Sequence, residues 1–134
     1  MNASLPAIAI RDVPSAFTDA LVTRFGTQFS QAMAVREQHG RDESAFTHVP
    51  PPCGVVFALS TADVSDAVAL AAHYRVPVIP FGVGSSLEGH LLAVQGGISV
   101  DVSRMNQVLR IDAEDLTVTV QPGVTRNAVN AAVK

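Results

Sequence analysis

The chain has 134 residues, one cysteine and a formal net charge of −3, and its nine lysines and arginines are scattered singly. This charge pattern lacks the basic patch that attracts a polyanion, so we expect no nucleic acid partner, and the lone Cys53 excludes an internal disulfide and a multi-cysteine metal site. No apolar segment reaches the ~18 residues of a membrane span and the N-terminus lacks a secretory signal pattern, so we expect a cytoplasmic protein.

Residues 1–35 are predicted to form an N-terminal helical segment ahead of the main domain. Phe17, Leu21 and Phe25 recur four residues apart and a glycine follows the last of them, which predicts a helix with one apolar face. A second short helix is expected over residues 29–36. The polar and then proline-rich stretch that follows is interpreted as an irregular connection.

Two apolar runs, residues 55–59 and 76–81, are predicted to be strands on either side of a helix. Ser60 or Thr61 can cap that helix, which is expected to continue to about Tyr74. A strand, a helix and a strand within this length form a βαβ unit with parallel, right-handed strands. Because both runs are apolar without interruption, both faces of the strands are expected to be covered.

A glycine-rich turn of sequence GVGSSLEG follows the second strand directly, at residues 82–89. Its glycines permit backbone conformations that β-carbons forbid, and its N–H groups and serine hydroxyls can converge on one point, where a phosphate can bind. Ser85 and Glu88 have the spacing of a capping box, so a helical turn is expected to begin there. A tight corner without any ligand fits the same residues.

Apolar and polar residues alternate after this turn, at residues 98–102, 109–111 and 116–120. Alternation is typical of half-exposed strands, and the short link between the last two predicts an antiparallel hairpin. The chain is therefore expected to change near residue 90 from a parallel layer to an antiparallel one. The predicted fold class is α+β, with one lobe over about 36–90 and a second from about 91.

Thr125 can cap a final helix with a stripe of small apolar residues that runs to Lys134 without a stop signal. We therefore expect residues 36–134 to be the N-terminal part of a longer domain. Its apolar surface, made for absent segments, is then expected to promote self-association.

A nicotinamide-binding Rossmann domain is the main alternative among enzymes. Its fingerprint requires a third glycine, where this chain has Leu87, and a helix directly after the glycines. Asp101 lies about where a ribose-binding acid would be expected. A Walker loop is excluded because no lysine follows the glycines. A third hypothesis is a structural or interaction module without a ligand.

Three segments in this order resemble one family. They read VPVIPFGVGSSLEGH from Val76, AVQGGISVDVSRMNQVLRID from Ala93 and VTVQPGVTR from Val118. Together they resemble the PCMH-type FAD-binding domain of the vanillyl-alcohol oxidase family. The stretch REQHGRDES from Arg36 further resembles FAD-linked D-lactate dehydrogenases and glycolate oxidase-like enzymes. The resemblance covers about residues 36–126.

The resemblance implies a two-lobed module that holds FAD between its lobes, in two loops. No covalent link is implied, because Ser85 and Ser86 stand near where some relatives carry a flavin-linked histidine. The residues that match the two loops are Pro80, Phe81, Gly82, Val83, Gly84, Ser85, Ser86 and Leu87 for the pyrophosphate, and Pro122, Gly123 and Val124 on the flavin side.

The resemblance also implies an activity for the full-length enzyme. Such enzymes oxidise a D-2-hydroxy acid, with D-lactate the first expectation and glycolate or a 2-hydroxydicarboxylate the next, by hydride transfer to flavin N5. Electrons then pass to a cytochrome, quinone or flavoprotein. The base comes from a later domain in these enzymes, so we assign no catalytic residue to this chain. We expect the chain alone to be inactive and to bind FAD weakly.

The sequence assigns no definite role to several other polar residues. His39, Asp42 and Ser44 fit either a loop near the flavin or a solvated linker, and their composition favours the linker. The other histidines, which lack metal-ligand spacing and predict no metal site, are His48, His73 and His90.

Overall fold

The computed structural model describes residues 10–43 and 49–134, and places four α-helices, one short 3₁₀ helix (Gly26–Gln28) and six strands in them. In chain order the α-helices and strands are α1 (Ser15–Phe25), β1 (Phe29–Ser30), α2 (Met33–His39), β2 (Val55–Phe57), α3 (Thr61–Tyr74), β3 (Val78–Phe81), β4 (Ile98–Asp101), β5 (Val108–Asp112), β6 (Thr117–Val120) and α4 (Arg126–Ala132). The predicted mixture of parallel and antiparallel α/β structure is confirmed.

Four strands form the main sheet in the order β1-β2-β4-β3. The strands β2, β4 and β3 run parallel, whereas β1 pairs with β2 in the antiparallel sense. The helix α3 connects β2 to β3, so the predicted strand, helix and strand are confirmed. The strand β4 lies between them and its four residues are all buried.

The core lies where α1 packs beside α3 against one face of the sheet. The side chains of Phe17, Leu21 and Phe25 are buried there, as the four-residue spacing predicts. The helix α3 begins where the Ser60 hydroxyl accepts a hydrogen bond from the N–H of Asp63 (3.2 Å), which confirms the predicted cap.

The short helix expected over residues 29–36 is wrong in its position. Phe29 and Ser30 instead form β1, which pairs with β2, and α2 begins only at Met33. Phe29 is buried against the core, so tertiary pairing outweighs the weak helical tendency of this segment.

The half-exposed, antiparallel strand expected at residues 98–102 is also wrong. Ser99 and Asp101 are buried, and β4 is the central parallel strand of the sheet. Alternation misleads here because β4 has a strand on each edge and cover on both faces, so its polar side chains are buried as well. Asp101 finds donors there, whereas the Ser99 hydroxyl has no hydrogen-bond partner among the described residues. The change to antiparallel pairing thus begins at β5, while the proposed domain boundaries stay predictions.

The strands β5 and β6 form the predicted antiparallel hairpin as a separate two-stranded sheet. Thr125 caps α4 as expected, with its hydroxyl accepting from the N–H of Ala128 (3.2 Å). Much of this part is exposed, including Leu109, Ile111 and Leu116. Within residues 10–43 and 49–134, the structure has no helix of the length and apolarity needed to cross a bilayer.

Candidate functional site

The three parallel strands end side by side. Phe57, the last residue of β2, and Phe81, the last residue of β3, are both in register with Asp101 at the end of β4. Ligands of open α/β sheets bind in the crevice outside the carboxyl ends of the strands. The carboxyl ends of these strands therefore form a candidate ligand-binding site.

The glycine-rich turn leaves this edge directly after Phe81. Residues 82–89 form a series of bends without a helical turn, so the helical turn predicted from Ser85 and Glu88 is wrong. Within the described residues, none of the backbone N–H groups from 82 to 86 donates a hydrogen bond to the protein. Among the described residues, the turn thus has several N–H groups without a protein acceptor, and such groups are what an anion-binding turn supplies.

Gly84 is the residue of this turn that most requires the absence of a side chain. Its φ is 74°, in the left-handed region, and a β-carbon built on it would lie 3.0 Å from Cζ of Phe81. The backbone therefore rests directly on the Phe81 ring. A side chain here would cost backbone strain and would force the Phe81 ring and the turn to shift apart slightly.

Two cavities flank the glycine-rich turn, and Phe81, Gly82, Val83 and Gly84 line both. The larger, of about 570 Å³, opens toward α2 and is also lined by His39, Asp42, Phe57, Asp101 and Ser103, among others. The smaller, of about 370 Å³, is also lined by Pro80, Ser85, Ser86, His90, Leu91 and Val102. Of the predicted pyrophosphate residues, only Leu87 lines neither cavity; its side chain is 68% exposed.

The second predicted loop packs behind the larger cavity. The N–H of Gly123 donates to the carbonyl of Met105 (2.8 Å). A β-carbon on Gly123 would overlap the carbonyl oxygen of Ser103 and lie 2.7 Å from its carbon. Pro122, Gly123 and Val124 line neither of the two cavities, but Gly123 lies against Ser103, which lines the larger one.

A buried pair forms the floor of the larger cavity. The Nε2–H of His39 donates to Oδ2 of Asp101 (2.9 Å), and the two side chains are 4% and 5% exposed. The other ring nitrogen of His39 lies 2.8 Å from the carbonyl of Val35. Both partners are acceptors, so the ring satisfies both contacts when each nitrogen carries a hydrogen.

His39 is the site residue that the sequence assigned to the wrong environment. It is the last residue of α2 and is buried, so the interpretation of it as part of a solvated linker is wrong. Asp42 is half-buried and lines the larger cavity, whereas Ser44 and His48 lie outside the described residues. The signal in the sequence was the charge of Asp101 at the end of a strand, which requires a donor but does not identify His39 as that donor.

Asp101 is held in its charged form. Burial alone raises the pKa of its carboxyl, but the hydrogen bonds from His39 and from the N–H of Ser103 (2.7 Å) outweigh it, so the pKa lies below the usual value. Asp63, at the start of α3, has a lowered pKa in the same way: burial opposes ionisation, but donors from Leu59, Gln28 and Ser60 prevail.

Acid is expected to destabilise the fold through these two carboxylates. A lowered pKa in the folded state contributes stability above the unfolded value of about 3.9, and that contribution is lost as the pH falls through the folded pKa. Urea unfolding at pH 7, 4 and 3 should therefore show a falling free energy of unfolding, with a shallower fall in Asp101→Asn. The exposed Asp19→Asn is the control. An identical fall in Asp101→Asn and the unaltered chain would contradict this origin.

Comparisons with known proteins agree with this geometry. The sequence profile of a family described as FAD binding domain (FAD_binding_4) matches residues 52–134, which include the three parallel strands and both glycine loops. The chain belongs to this FAD-binding family. The recognition of a PCMH-type FAD-binding domain from its motifs is thereby confirmed.

Relatives of this FAD-binding domain are oxidoreductases by name. It is 48% identical over 105 residues to a probable mitochondrial D-lactate dehydrogenase of Danio rerio, with 78% of this chain and 21% of that protein covered. It is 34% identical over 115 residues to the mitochondrial D-lactate dehydrogenase [cytochrome] of Arabidopsis thaliana, with 85% and 20% covered. The chain thus spans about a fifth of the length of these curated relatives.

Solved structures share the fold of this FAD-binding domain. An alkyldihydroxyacetonephosphate synthase superimposes with a TM-score of 0.79 at 24% identity, covering 98% of this chain and 26% of that one. A p-cresol methylhydroxylase with bound substrate superimposes with a TM-score of 0.78 at 19% identity, covering 95% and 26%. These likenesses confirm the PCMH-type fold.

Proposed function

We propose that this chain is the FAD-binding portion of a flavin-dependent oxidoreductase that oxidises a D-2-hydroxy acid, with D-lactate as the first candidate. The observation that carries the proposal is the glycine-rich turn, whose free N–H groups lie at the carboxyl edge of a parallel sheet between two cavities. The substrate class is supported by the names of the relatives from Danio rerio and Arabidopsis thaliana.

The residues present fit the diphosphate of FAD. The N–H groups of Gly82 to Ser86 are free within the described residues, and the hydroxyls of Ser85 and Ser86 lie on the same turn. Charge-assisted hydrogen bonds of this kind are worth roughly 1.5–3 kcal/mol each. When bound, FAD would supply the electron-accepting chemistry, while the protein binds and orients it.

We propose that FAD binds without a covalent bond. Ser85 and Ser86 occupy the turn, and the nearby ring of His90 has its Nδ1 3.2 Å from the Ser86 hydroxyl, engaged by a protein partner. Release of all bound flavin on denaturation would accord with this. The cytoplasmic location, the electron acceptor and self-association through exposed apolar surface stay predictions. The two named dehydrogenases are described as mitochondrial.

The nicotinamide alternative is less well supported. A dinucleotide fingerprint requires a helix directly after its glycines, and residues 82–89 form bends instead. Asp101, the candidate ribose ligand, is occupied by His39 and Ser103. The interaction-module hypothesis is supported only by exposed apolar residues such as Leu116.

The proposal predicts weak, localised FAD binding. In an amide NMR titration, FAD should shift the resonances of residues 82–86 and 122–124, and Gly84→Ala should weaken the apparent affinity about tenfold or more, because the β-carbon displaces the turn. Gly26→Ala is the matched control: its φ of 51° gives a similar backbone cost, but it lies at the end of α1 with nothing within 4 Å of the added carbon.

Two results would contradict the proposal. Shifts caused by NADH but not by FAD would favour the nicotinamide domain, and shifts caused by neither would favour the module without a ligand. We also expect the chain with added FAD to show no dye reduction by D-lactate, because it spans about a fifth of the length of the named dehydrogenases. Stereospecific turnover would contradict that part alone.

A further inference from the structure

We infer that Asp101 is a positioning residue that holds both predicted cofactor loops at once, one through His39 and the other through Ser103. The inference rests on the proposed function for the identity of the two loops. The observations behind it are the contacts that each oxygen of the buried Asp101 carboxylate makes at the end of β4. Neither oxygen of that carboxylate is spare, because each one accepts from a different segment.

The first side leads to the glycine-rich turn. Oδ2 of Asp101 fixes the His39 ring, whose centroid lies 4.2 Å from that of Phe81. The Phe81 ring in turn contacts the backbone of Gly84 so closely that a β-carbon there would lie only 3.0 Å from Cζ of Phe81. The orientation of the His39 ring therefore determines where the Phe81 ring lies, and so where the turn begins.

A backbone hydrogen bond also connects the segment after α2 to the glycine-rich turn. The N–H of Glu43 donates to the carbonyl of Ser86 (2.9 Å), so the chain that follows α2 is hydrogen-bonded to the glycine-rich turn. At the other end, Nε of Arg36 donates to the carbonyl of Pro52 (2.6 Å). The segment from Arg36 to Glu43 thus forms one wall of the larger cavity and is fixed at both ends, with His39 as its buried anchor.

The other side leads to the second loop. Oδ1 of Asp101 accepts from the N–H of Ser103 (2.7 Å), which fixes the turn after β4. The carbonyl of Ser103 abuts Gly123, whose N–H is held by Met105 (2.8 Å). Since the contact is between backbone atoms, any movement of Ser103 is transmitted to Gly123.

Asp63 provides a matched control for this role. It is a buried aspartate with a lowered pKa, and it accepts from Leu59, Gln28 and Arg24. It lines neither of the two cavities. Asp63→Asn therefore removes a buried carboxylate of similar environment without touching either loop.

The test is hydrogen exchange by NMR on the complete chain, read at two hydrogen bonds. Glu43 N–H reports the glycine-rich side and Gly123 N–H reports the second loop, with Ile98 N–H, at the amino end of β4, as the reference. Asp101→Ala should lower the protection of both reporters about tenfold relative to Ile98, and His39→Ala that of Glu43 alone. Asp63→Asn should leave the protection of both reporters, relative to Ile98, unchanged.

Asp101→Asn keeps the test decisive if the alanine variant fails to fold. The asparagine side chain retains an oxygen that accepts from Ser103 N–H, but it lacks the negative charge that faces His39. Protection against hydrogen exchange should therefore fall at Glu43 N–H and stay unchanged at Gly123 N–H. The inference would be overturned if Asp101→Asn lowered the protection of Gly123 N–H against exchange. It would also be overturned if Asp101→Ala lowered the protection of only one of the two reporter N–H groups. Equal loss at all three amides would overturn it as well.

FAD titration of the same variants separates this inference from the proposed function. If the unaltered chain binds FAD, the apparent affinity should fall about tenfold in Asp101→Asn and stay unchanged in Asp63→Asn. If the unaltered chain does not bind FAD, the proposed function fails, while the exchange pattern still decides whether Asp101 positions both loops. Equal affinities of Asp101→Asn and the unaltered chain would overturn the inference.

Discussion

Replacement of Gly97 by alanine is expected to lower the free energy of unfolding by about 3 kcal/mol, as the sum of steric overlap and backbone strain. The φ of Gly97 is 110°, a conformation that residues with a β-carbon rarely adopt. An added carbon would overlap the carbonyl oxygen of Pro77 and lie 2.9 Å from its carbon. These are backbone atoms, so no side chain can rotate away.

The loss should spread through the sheet, because Gly97 lies between two strands at their amino ends. Its carbonyl accepts from the N–H of Cys53 (2.8 Å), and the next N–H, of Ile98, donates to Pro77 (3.0 Å). Urea denaturation measures the effect. Gly82→Ala is the control, since nothing lies within 4 Å of its added carbon and its stability should change by less than about 0.5 kcal/mol. Equal stability of the two variants would refute the steric argument.

Replacement of His39 by leucine is expected to cost about 3 kcal/mol of the free energy of unfolding. Breaking a buried pair by removing one partner costs roughly 3–5 kcal/mol, because the other charge stays buried. The lower end applies here, since Asp101 keeps the hydrogen bond from Ser103. The exposed His73→Leu, on α3, should change stability by less than about 0.5 kcal/mol.

The double variant His39→Leu with Asp101→Asn tests the cause. If the cost comes from an uncompensated carboxylate, removing its charge should restore at least ~1 kcal/mol, so that the two changes are far from additive. Additive losses would instead mean that the His39 ring contributes mainly by packing against Phe57 and Phe81. Urea unfolding at pH 7 of the four chains completes the cycle.

Local patterns in the sequence predicted the elements whose signals are self-contained. The four-residue spacing of Phe17, Leu21 and Phe25 predicted α1, and Ser60 with its apolar stripe predicted α3. The glycine-rich turn was predicted in the correct place, at the carboxyl end of a parallel strand. In each case neighbours in the sequence carry the signal, because the cap, the stripe or the turn lies within a few residues.

Long-range contacts decided what the sequence alone misassigned. The alternation in β4 looks half-exposed, but β2 and β3 lie on its two edges and Ser99 is fully buried. Asp101 is stabilised there by the N–H of Ser103 and by His39, which lies 62 positions away in the chain. A pattern of neighbouring residues in the sequence cannot predict a contact with a residue so far away in the chain.

The sequence by itself thus determined the family, the βαβ unit and the glycine-rich turn, since these depend on residues close together along the chain. Only the tertiary structure decided that β4 is the central strand and that His39 is buried beneath the larger cavity. It also decided that one carboxylate contacts segments leading to both loops. The physical reason is that burying the charge of Asp101 requires donors, and the fold brings one of them, His39, from a distant part of the chain.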